Sequence, residues 1–444
     1  MKNFRNKISK KGRGQVLYKR AKKIIPGGTQ LLSKRPEMFV PEFWPAYYSK
    51  AKGCKVWDLN ENQFIDMSIM GIGANILGYA DDDVDNAVKE VIGNGVSSTL
   101  NCPEEVELAE LLIKIHPWAD MVRFARSGGE ACALAIRVAR ASTNRDKVLF
   151  SGYHGWHDWY LAANISDSKG LDGQLIPGLE PNGVPRYLKG TSIPFHFNNI
   201  DELKKKAAGI ESQIAAIIVE PARGEDAPKD YLAALKEFSK YIGAVLIFDE
   251  ITSGFRMCPG GLHLKYGINP DLAIFAKSIA NGYAMSAVIG IEKHMSVSQA
   301  TFMSSTNWTE RIGPTAAIAT IKKYKKESVH KHIINVGEKF KGLIDQKSAK
   351  FGLDISISGL PSLCSFSLDN PNSKKIMTFF TFQMLKLGFL GYRQFKPSFA
   401  HSLYHIDNYA KALDEIFEMI ASEKWRELNE LENAHSSFKR LTSE

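Results

Sequence analysis

Four apolar runs in the middle of the chain each end in a side chain that could do chemistry. The run "DKVLFSGYH" (146–154) closes on Tyr153 and His154, "AAIIVEP" (215–221) carries Glu220, "AVLIFDE" (244–250) carries Asp249, and "LAIFAKS" (272–278) carries Lys277. Read as parallel strands, they bring all five residues to the carboxyl ends of one sheet, where open α/β sheets bind their ligands. Any one of them alone is explained by a helix cap or a strand-end ion pair. Four runs ending in one crevice are not. An ammonium group at the end of an apolar strand is costly as a charge, and burial lowers its pKa until the amine is partly neutral and nucleophilic.

A fifth piece is "RFARSGGEACALAIRVARA" (123–141), in which Ser127, Gly128 and Gly129 precede an Ala- and Leu-rich helix with Glu130 in its first turn. Bare glycine backbone permits close approach, and the free N–H groups and positive dipole end of the helix favour an anion, a phosphate above all. The GK[ST] ending of a nucleotide P-loop is missing, and "GIGANILG" (71–78) lacks the third glycine of a dinucleotide fingerprint. A lysine, carboxylates and a phosphate cradle together point to a covalent aldehyde cofactor. Pyridoxal phosphate needs a Lys amine for the Schiff base, a carboxylate that keeps the pyridine nitrogen protonated, and an anchor for its phosphate. Lys277 is then buried in order to react.

The elements that must position these residues follow from length and pattern. With 444 residues, 44% of them hydrophobic, the chain exceeds what a single core usually holds, so one major domain and a smaller one are expected. Residues 1–23 form a basic arm with ten Lys or Arg and no acid, which leaves 47 basic against 48 acidic residues in the body. The net charge of +9 is thus local, and the arm reads as a solvated tail leading into a first helix, with nucleic acid not expected as a partner. Residues 53–67 read as two short strands around an Asn-Glu-Asn turn. From there helical patterns alternate with short apolar runs, the signature of βαβ units and a mostly parallel sheet. "KKYKKES" near 321 breaks the pattern, and an α+β unit with a closing amphipathic helix follows. The expected division is 24–65 as the first segment of a small domain, 66–320 as a large cofactor-binding domain and 321–444 as the rest of the small one. No apolar run approaches the roughly 20 residues of a membrane helix, and the charged N-terminus has no apolar stretch behind it, so a cytoplasmic protein away from membranes is expected. Five scattered cysteines, Cys54, Cys102, Cys132, Cys258 and Cys364, make neither a zinc site nor a disulfide framework, and no metal is expected.

The motifs "FDEITSGFR" (248–256), Lys277 28 residues after Asp249, "SGGEACALAIRVARA", "YHGWHD" (153–158) and "VEPARGE" (219–225) together resemble the class III pyridoxal-phosphate aminotransferases. Within them, "IPGGT" and "VWDLNENQFIDM" near the start are similar to the glutamate-1-semialdehyde aminomutase branch. The resemblance runs over about residues 20–410. It implies a fold-type-I transferase, with a large domain built on a seven-stranded type of sheet plus a smaller α+β domain. By the same resemblance Lys277 forms the Schiff base and then shuttles a proton, and Asp249 pairs with the pyridinium nitrogen. Gly128 and Gly129, with Ser127, hold the phosphate where the family usually has Ser-Gly-Thr, so one hydroxyl is missing. Tyr153 stacks on one ring face and Ile251 on the other, His154 is among the cofactor-binding residues, and Glu220 sits near the ring hydroxyl and substrate amine. Thr309 in "STNWTERIGPTAA" (305–317) reaches the phosphate of the partner subunit, which implies a homodimer with shared active sites.

Two departures fall on substrate recognition. The branch's Arg after the "PGG" turn is here Lys34, with Arg35 one place off, and a Glu of the branch is Lys396 in "QFKPSF". The resemblance with these changes implies ping-pong transfer of an amino group from an amino-acid donor to a small carbonyl acceptor, sugar-like or anionic. The alternatives that keep the cofactor are a glutamate-1-semialdehyde 2,1-aminomutase or another isomerase, epimerase or decarboxylase. A cofactor-binding relative without catalysis is opposed by the intact Lys277 and Asp249.

Overall fold

Four of the strands consist almost wholly of buried apolar residues, as strands covered on both faces must. The computed structural model describes residues 6–174, 177–222, 225–428 and 431–436. It divides into two units, Asp82–Lys331 and the combination of Met1–Asp81 with His332–Glu444. The sequence places these boundaries at 65/66 and 320/321. The helix Ile312–Lys326 packs on the helices Asp82–Gly93 and Pro103–Ile115, so the chain stays in the first unit past "KKYKKES", and the division falls after Lys331, shortly beyond the positive-φ residue Ser328.

The unit Asp82–Lys331 is built on β1 (Met121–Ala125), β2 (Lys147–Ser151), β3 (Ser192–Pro194), β4 (Ile214–Val219), β5 (Val245–Asp249), β6 (Leu272–Phe275) and β7 (Ser286–Gly290). Their order in the sheet is β1-β7-β6-β5-β4-β2-β3. The pairs β6–β5, β5–β4, β4–β2 and β2–β3 are parallel, and only β7 runs against its neighbours β1 and β6. The register aligns Ser151 with Val219, Val219 with Phe248, and Asp249 with Ile274, so four strand ends lie side by side. One face of the sheet is covered by helix α1 (Gly128–Thr143), whose Ala131, Cys132, Ala135 and Val138 pack on Phe150, Ile218, Ile247 and Ile274. The other face buries Leu149, Ile217, Leu246 and Phe248 under Leu203, Leu232 and Leu235. Small residues on α1 bring its backbone close to the strands, and so bring its first turn to the strand ends.

The other unit holds a four-stranded sheet of Tyr48–Lys52, Lys55–Asp58, Gln63–Met67 and Phe389–Gly391, and a three-stranded one of Ile355–Ser358, Cys364–Leu368 and Gln394–Phe395. The turn at 58–62 is tied by Asp58, whose Oδ1 accepts from the N–H groups of Asn60 and Asn62 at 2.8 and 2.9 Å. Helices Ser373–Lys386 and Leu403–Ala421 cover a core of Phe366, Phe380, Phe395, Tyr409 and Phe417. The second helix is amphipathic and opens on a capping box between Ser402 and His405.

Candidate active site

Asp249 is the last residue of β5 and is 2% exposed. Its Oδ2 lies 2.7 Å from His154 Nδ1 and accepts from Cys132 Sγ at 3.5 Å, while Oδ1 accepts from the Ile251 N–H at 3.0 Å. His154 is fully buried in the loop after β2, and its Nε2 lies 3.3 Å from the Ser151 carbonyl. Both ring nitrogens thus face oxygen acceptors, and the ring is fixed in place as a donor to Asp249. Cys132, His154 and Asp249 bring their ligand atoms within 4.8 Å of one another, a spacing that a metal could use. Burial, with Asp249 beside it, raises the Cys132 thiol well above its ordinary pKa, so the sulfur is an S–H donor and not a thiolate ligand.

Lys277 follows β6 in a 3₁₀ turn, Lys277–Ala280, and takes the left-handed value φ 47. A side chain held there is in a sparsely populated region of backbone space, a feature that clusters at functional sites. Its Nζ donates to Thr252 Oγ1 at 2.8 Å. Burial lowers the amine's pKa, the carboxylates of Glu220 and Asp249 raise it, and the Arg256 guanidinium lowers it again, with a net fall. The outcome favours a neutral, nucleophilic amine.

Glu220 stands just beyond β4, where its Oε2 accepts from the Tyr153 N–H at 3.0 Å. This contact requires glycine at 152: φ there is 125, and a Cβ would lie 2.6 Å from Glu220 Oε2. Tyr153 is 39% exposed, packs edge to face on Tyr160 with centroids 5.9 Å apart, and has its hydroxyl pKa raised by burial.

Helix α1 starts immediately beside these groups. The Ser127 hydroxyl is engaged in the capping box, accepting from the Glu130 N–H at 3.4 Å and donating to Glu130 Oε2 at 3.1 Å. The N–H groups of Gly128 and Gly129 find no acceptor among the described residues. Ile251 lies against Gly128, where a Cβ would come within 2.9 Å of Ile251 Cδ1, so the helix start presents bare backbone. Two donors without partners at a helix N-terminus, a lysine with a depressed pKa and a carboxylate held from behind by His154 and Cys132 fit the phosphate, aldehyde and ring nitrogen of pyridoxal phosphate.

Thr309 lies outside this cluster: it is exposed, and its hydroxyl donates to the Thr306 carbonyl within its own turn at 3.1 Å. Arg126 holds that loop to the start of α1, pairing with Glu310 Oε1 at 2.9 Å and donating to the Trp308 and Glu310 carbonyls at 2.8 Å each. Lys34, Arg35 and Lys396 belong to the other unit. Lys34 is exposed at the end of the turn Leu32–Lys34, the Arg35 guanidinium packs on Gly27, and half-buried Lys396 donates its N–H to the Ser68 carbonyl at 2.8 Å. Thr252, Cys132 and Arg126 escape sequence reasoning. Thr252 sits inside "FDEITSGFR", three residues from Asp249, and that adjacency is the one signal that could have found it.

Comparison with known proteins agrees with this chemistry. The family model described as Aminotransferase class-III matches residues 40–416. The chain is 32% identical over 388 residues to a 3-aminobutyryl-CoA aminotransferase of Cloacimonas acidaminovorans, covering 85% of this chain and 89% of that protein. It is 31% identical over 437 residues to a glutamate-1-semialdehyde 2,1-aminomutase of Methanocaldococcus jannaschii, covering 92% and 99%. A solved structure described as a transaminase with PLP bound superposes with a TM-score of 0.81 at 26% identity over 92% of this chain and 97% of that one. The fold is that of the fold-type-I transferases, the cofactor is pyridoxal 5'-phosphate, and the chain belongs to the class III aminotransferases.

Proposed function

We propose that this enzyme is a transaminase which moves an amino group from an amino-acid donor to a small anionic carbonyl acceptor by ping-pong chemistry. The observation that carries the reading is Lys277, lowered in pKa by burial, just past the end of the strand that pairs with the one ending in Asp249, whose carboxylate is held by His154. When bound, the cofactor supplies an aldehyde carbon and a protonated ring that accepts electron density from the substrate's α-carbon. The protein's residues divide the remaining work. Lys277 attacks as a neutral amine and later carries a proton on Nζ. Thr252 Oγ1 orients that nitrogen. Asp249 holds a proton at the ring nitrogen, and its own charge is kept in place by His154 and Cys132. Gly128 and Gly129 bind the phosphate through backbone N–H groups, Ile251 and Tyr153 bound the ring, and Glu220 faces the substrate amine.

An anionic acceptor is supported by the cationic residues Lys34 and Lys396, with Arg35 adjacent. Thr309, exposed on a loop pinned by Arg126, suits a contact with the partner subunit's cofactor in a homodimer. Five free cysteines suit a reducing, cytoplasmic setting. Among the described residues no helix is long and apolar enough to cross a membrane. A second reading, an aminomutase, is favoured by the match over nearly the whole length of the Methanocaldococcus jannaschii protein.

The deciding experiment incubates the cofactor-loaded protein with a panel of amino acids, following the cofactor's absorbance and the keto acid released. One keto acid per cofactor from at least one donor is expected. Conversion of glutamate 1-semialdehyde with no keto acid from any donor would establish the aminomutase instead.

A further inference from the structure

His157 has no part in the roles assigned above, yet its imidazole lies against the start of α1. A Cβ built on Gly129 would stand 3.2 Å from His157 Cε1 and 3.3 Å from Nδ1, so the ring occupies the space a side chain at position 129 would need. This approach is made possible by Gly155, whose φ of 104 and lack of a side chain bring the loop after β2 to Gly129: a Cβ on Gly155 would meet Gly129 Cα at 2.9 Å. The ring is held flat by Trp156, stacked at 4.6 Å between centroids with 21° between planes. His157 Nδ1 is buried and has no hydrogen-bond partner among the described residues. Buried polar nitrogens are as a rule partnered, so one left open beside two open N–H groups marks a place where a ligand can complete it.

We propose that His157 is a further ligand of the cofactor phosphate, its Nδ1–H supplying the side-chain hydrogen bond that glycine at position 129 cannot. The phosphate is then held by three converging donors, two from the backbone of α1 and one from the loop after β2. Burial lowers the imidazole pKa while Glu130 and Asp158 raise it, with a net fall, so the ring meets the phosphate as a neutral donor and the arriving negative charge favours its taking up a proton. The proposal rests on the cofactor assignment and not on the choice of substrates.

The test compares two cofactor forms on protein from which the cofactor has been removed. Dissociation constants for pyridoxal phosphate and for pyridoxal, which lacks the phosphate, are measured by absorbance for the parent, His157→Ala and His157→Asn. A hydrogen bond to a charged group is worth about 1.5–3 kcal/mol, so His157→Ala should weaken pyridoxal phosphate about 10- to 100-fold and leave pyridoxal unchanged. His157→Asn, which keeps a donor near the Nδ1 position, should recover part of the loss. A double variant, Gly129→Ser with His157→Ala, puts a hydroxyl into the vacated space and should restore affinity. A parallel loss for both cofactor forms, or no loss for either, would overturn the proposal and leave His157 as packing.

Discussion

His154 Nδ1 and Asp249 Oδ2 stand 2.7 Å apart with both side chains withdrawn from water, and the same oxygen accepts from Cys132. A carboxylate so held has one oxygen committed and its orientation fixed before any ligand arrives, which is what preorganised electrostatic stabilisation requires. Asp249→Asn keeps the shape and removes the charge. It should lower kcat by about 10²–10³-fold, the cost of one preorganised group, while cofactor still binds. Single-turnover rates check this, and transamination within a few-fold of the parent would move the ring-nitrogen role to another residue.

Lys277→Ala deletes the proposed nucleophile and little apolar surface. Because burial disfavours the ammonium in the native state, its removal should leave the melting temperature of cofactor-free protein unchanged or raised. Turnover should vanish. Residual turnover within tenfold of the parent would count decisively against the assignment.

Thr252 is argued to act through Lys277, so its test must separate orientation from folding. Thr252→Val is nearly isosteric and removes the acceptor for Nζ, which holds a 2.8 Å hydrogen bond in the parent. Loss of an acceptor disfavours the protonated amine, so the limb of the pH–rate profile that reports Lys277 should move to lower pH, with kcat down about tenfold and KM nearly constant. Thr252→Ser should behave as the parent. A pH profile that does not move in the Val variant would reduce Thr252 to packing.

Much of the large unit was legible because buried parallel strands leave a plain signature: "AAIIV", "VLIF" and "LAIF" are apolar throughout, and polar side chains mark their ends. The same runs located Glu220, Asp249 and Lys277. The Asp58 turn was legible for a local reason, since its hydrogen bonds span only four residues. What stayed hidden depends on distant parts of the chain. Cys132 meets Asp249 across 117 positions and Arg126 meets Glu310 across 184, and no spacing announces such pairs. Ser127 shows the opposite limit: its position pointed to the phosphate, but its hydroxyl caps α1, because Glu130 three residues on completes the box. The lysine-rich "KKYKKES" reads as a break, yet lysine is a good helix former and the helix runs on to Lys326.

Two buried histidines set an acid limit on stability. His116 donates from Nδ1 to the Leu112 carbonyl at 2.9 Å and accepts at Nε2 from the Gly261 N–H at 3.0 Å. His401 donates from Nε2 to the Asp66 carbonyl at 2.9 Å and accepts at Nδ1 from the Ser398 N–H at 3.0 Å. Burial pushes each down to about 4, against an ordinary value of 6.5. The unfolded chain therefore takes up these protons first, and the contribution is fully present above pH 6.5, shrinks as pH falls, and is gone near 4. Each histidine should remove about 3 kcal/mol across that window. Urea unfolding at several pH values should show the slope, and His116→Asn should flatten it. An unchanged slope in that variant would place the acid sensitivity in other groups.

The proposed role of Lys396 toward the acceptor has its own test. Its backbone N–H is pinned to the Ser68 carbonyl at 2.8 Å, so the position of this half-buried residue is fixed while its ammonium is a compact point charge on a flexible stem. Such a charge attracts phosphate or carboxylate without the two-pronged geometry of an arginine, and it would serve an acceptor richer in negative charge than glutamate semialdehyde. Lys396→Glu reverses the sign at one point and leaves Lys277, Asp249 and Thr252 unchanged in sequence. The expected result is a rise of tenfold or more in KM for the acceptor, steepest at low salt because exposed charges are screened beyond about 10 Å at 0.1 M. The half-reaction with the amino donor should keep its rate, since the proposed chemistry assigns it to Lys277, Asp249 and Thr252. Equal loss in both half-reactions would show that Lys396 acts on the fold or on a step common to both. Efficient conversion of glutamate 1-semialdehyde by the parent, insensitive to Lys396→Glu, would show that the lysine faces solvent and that the two departures at positions 34 and 396 do not set the substrate.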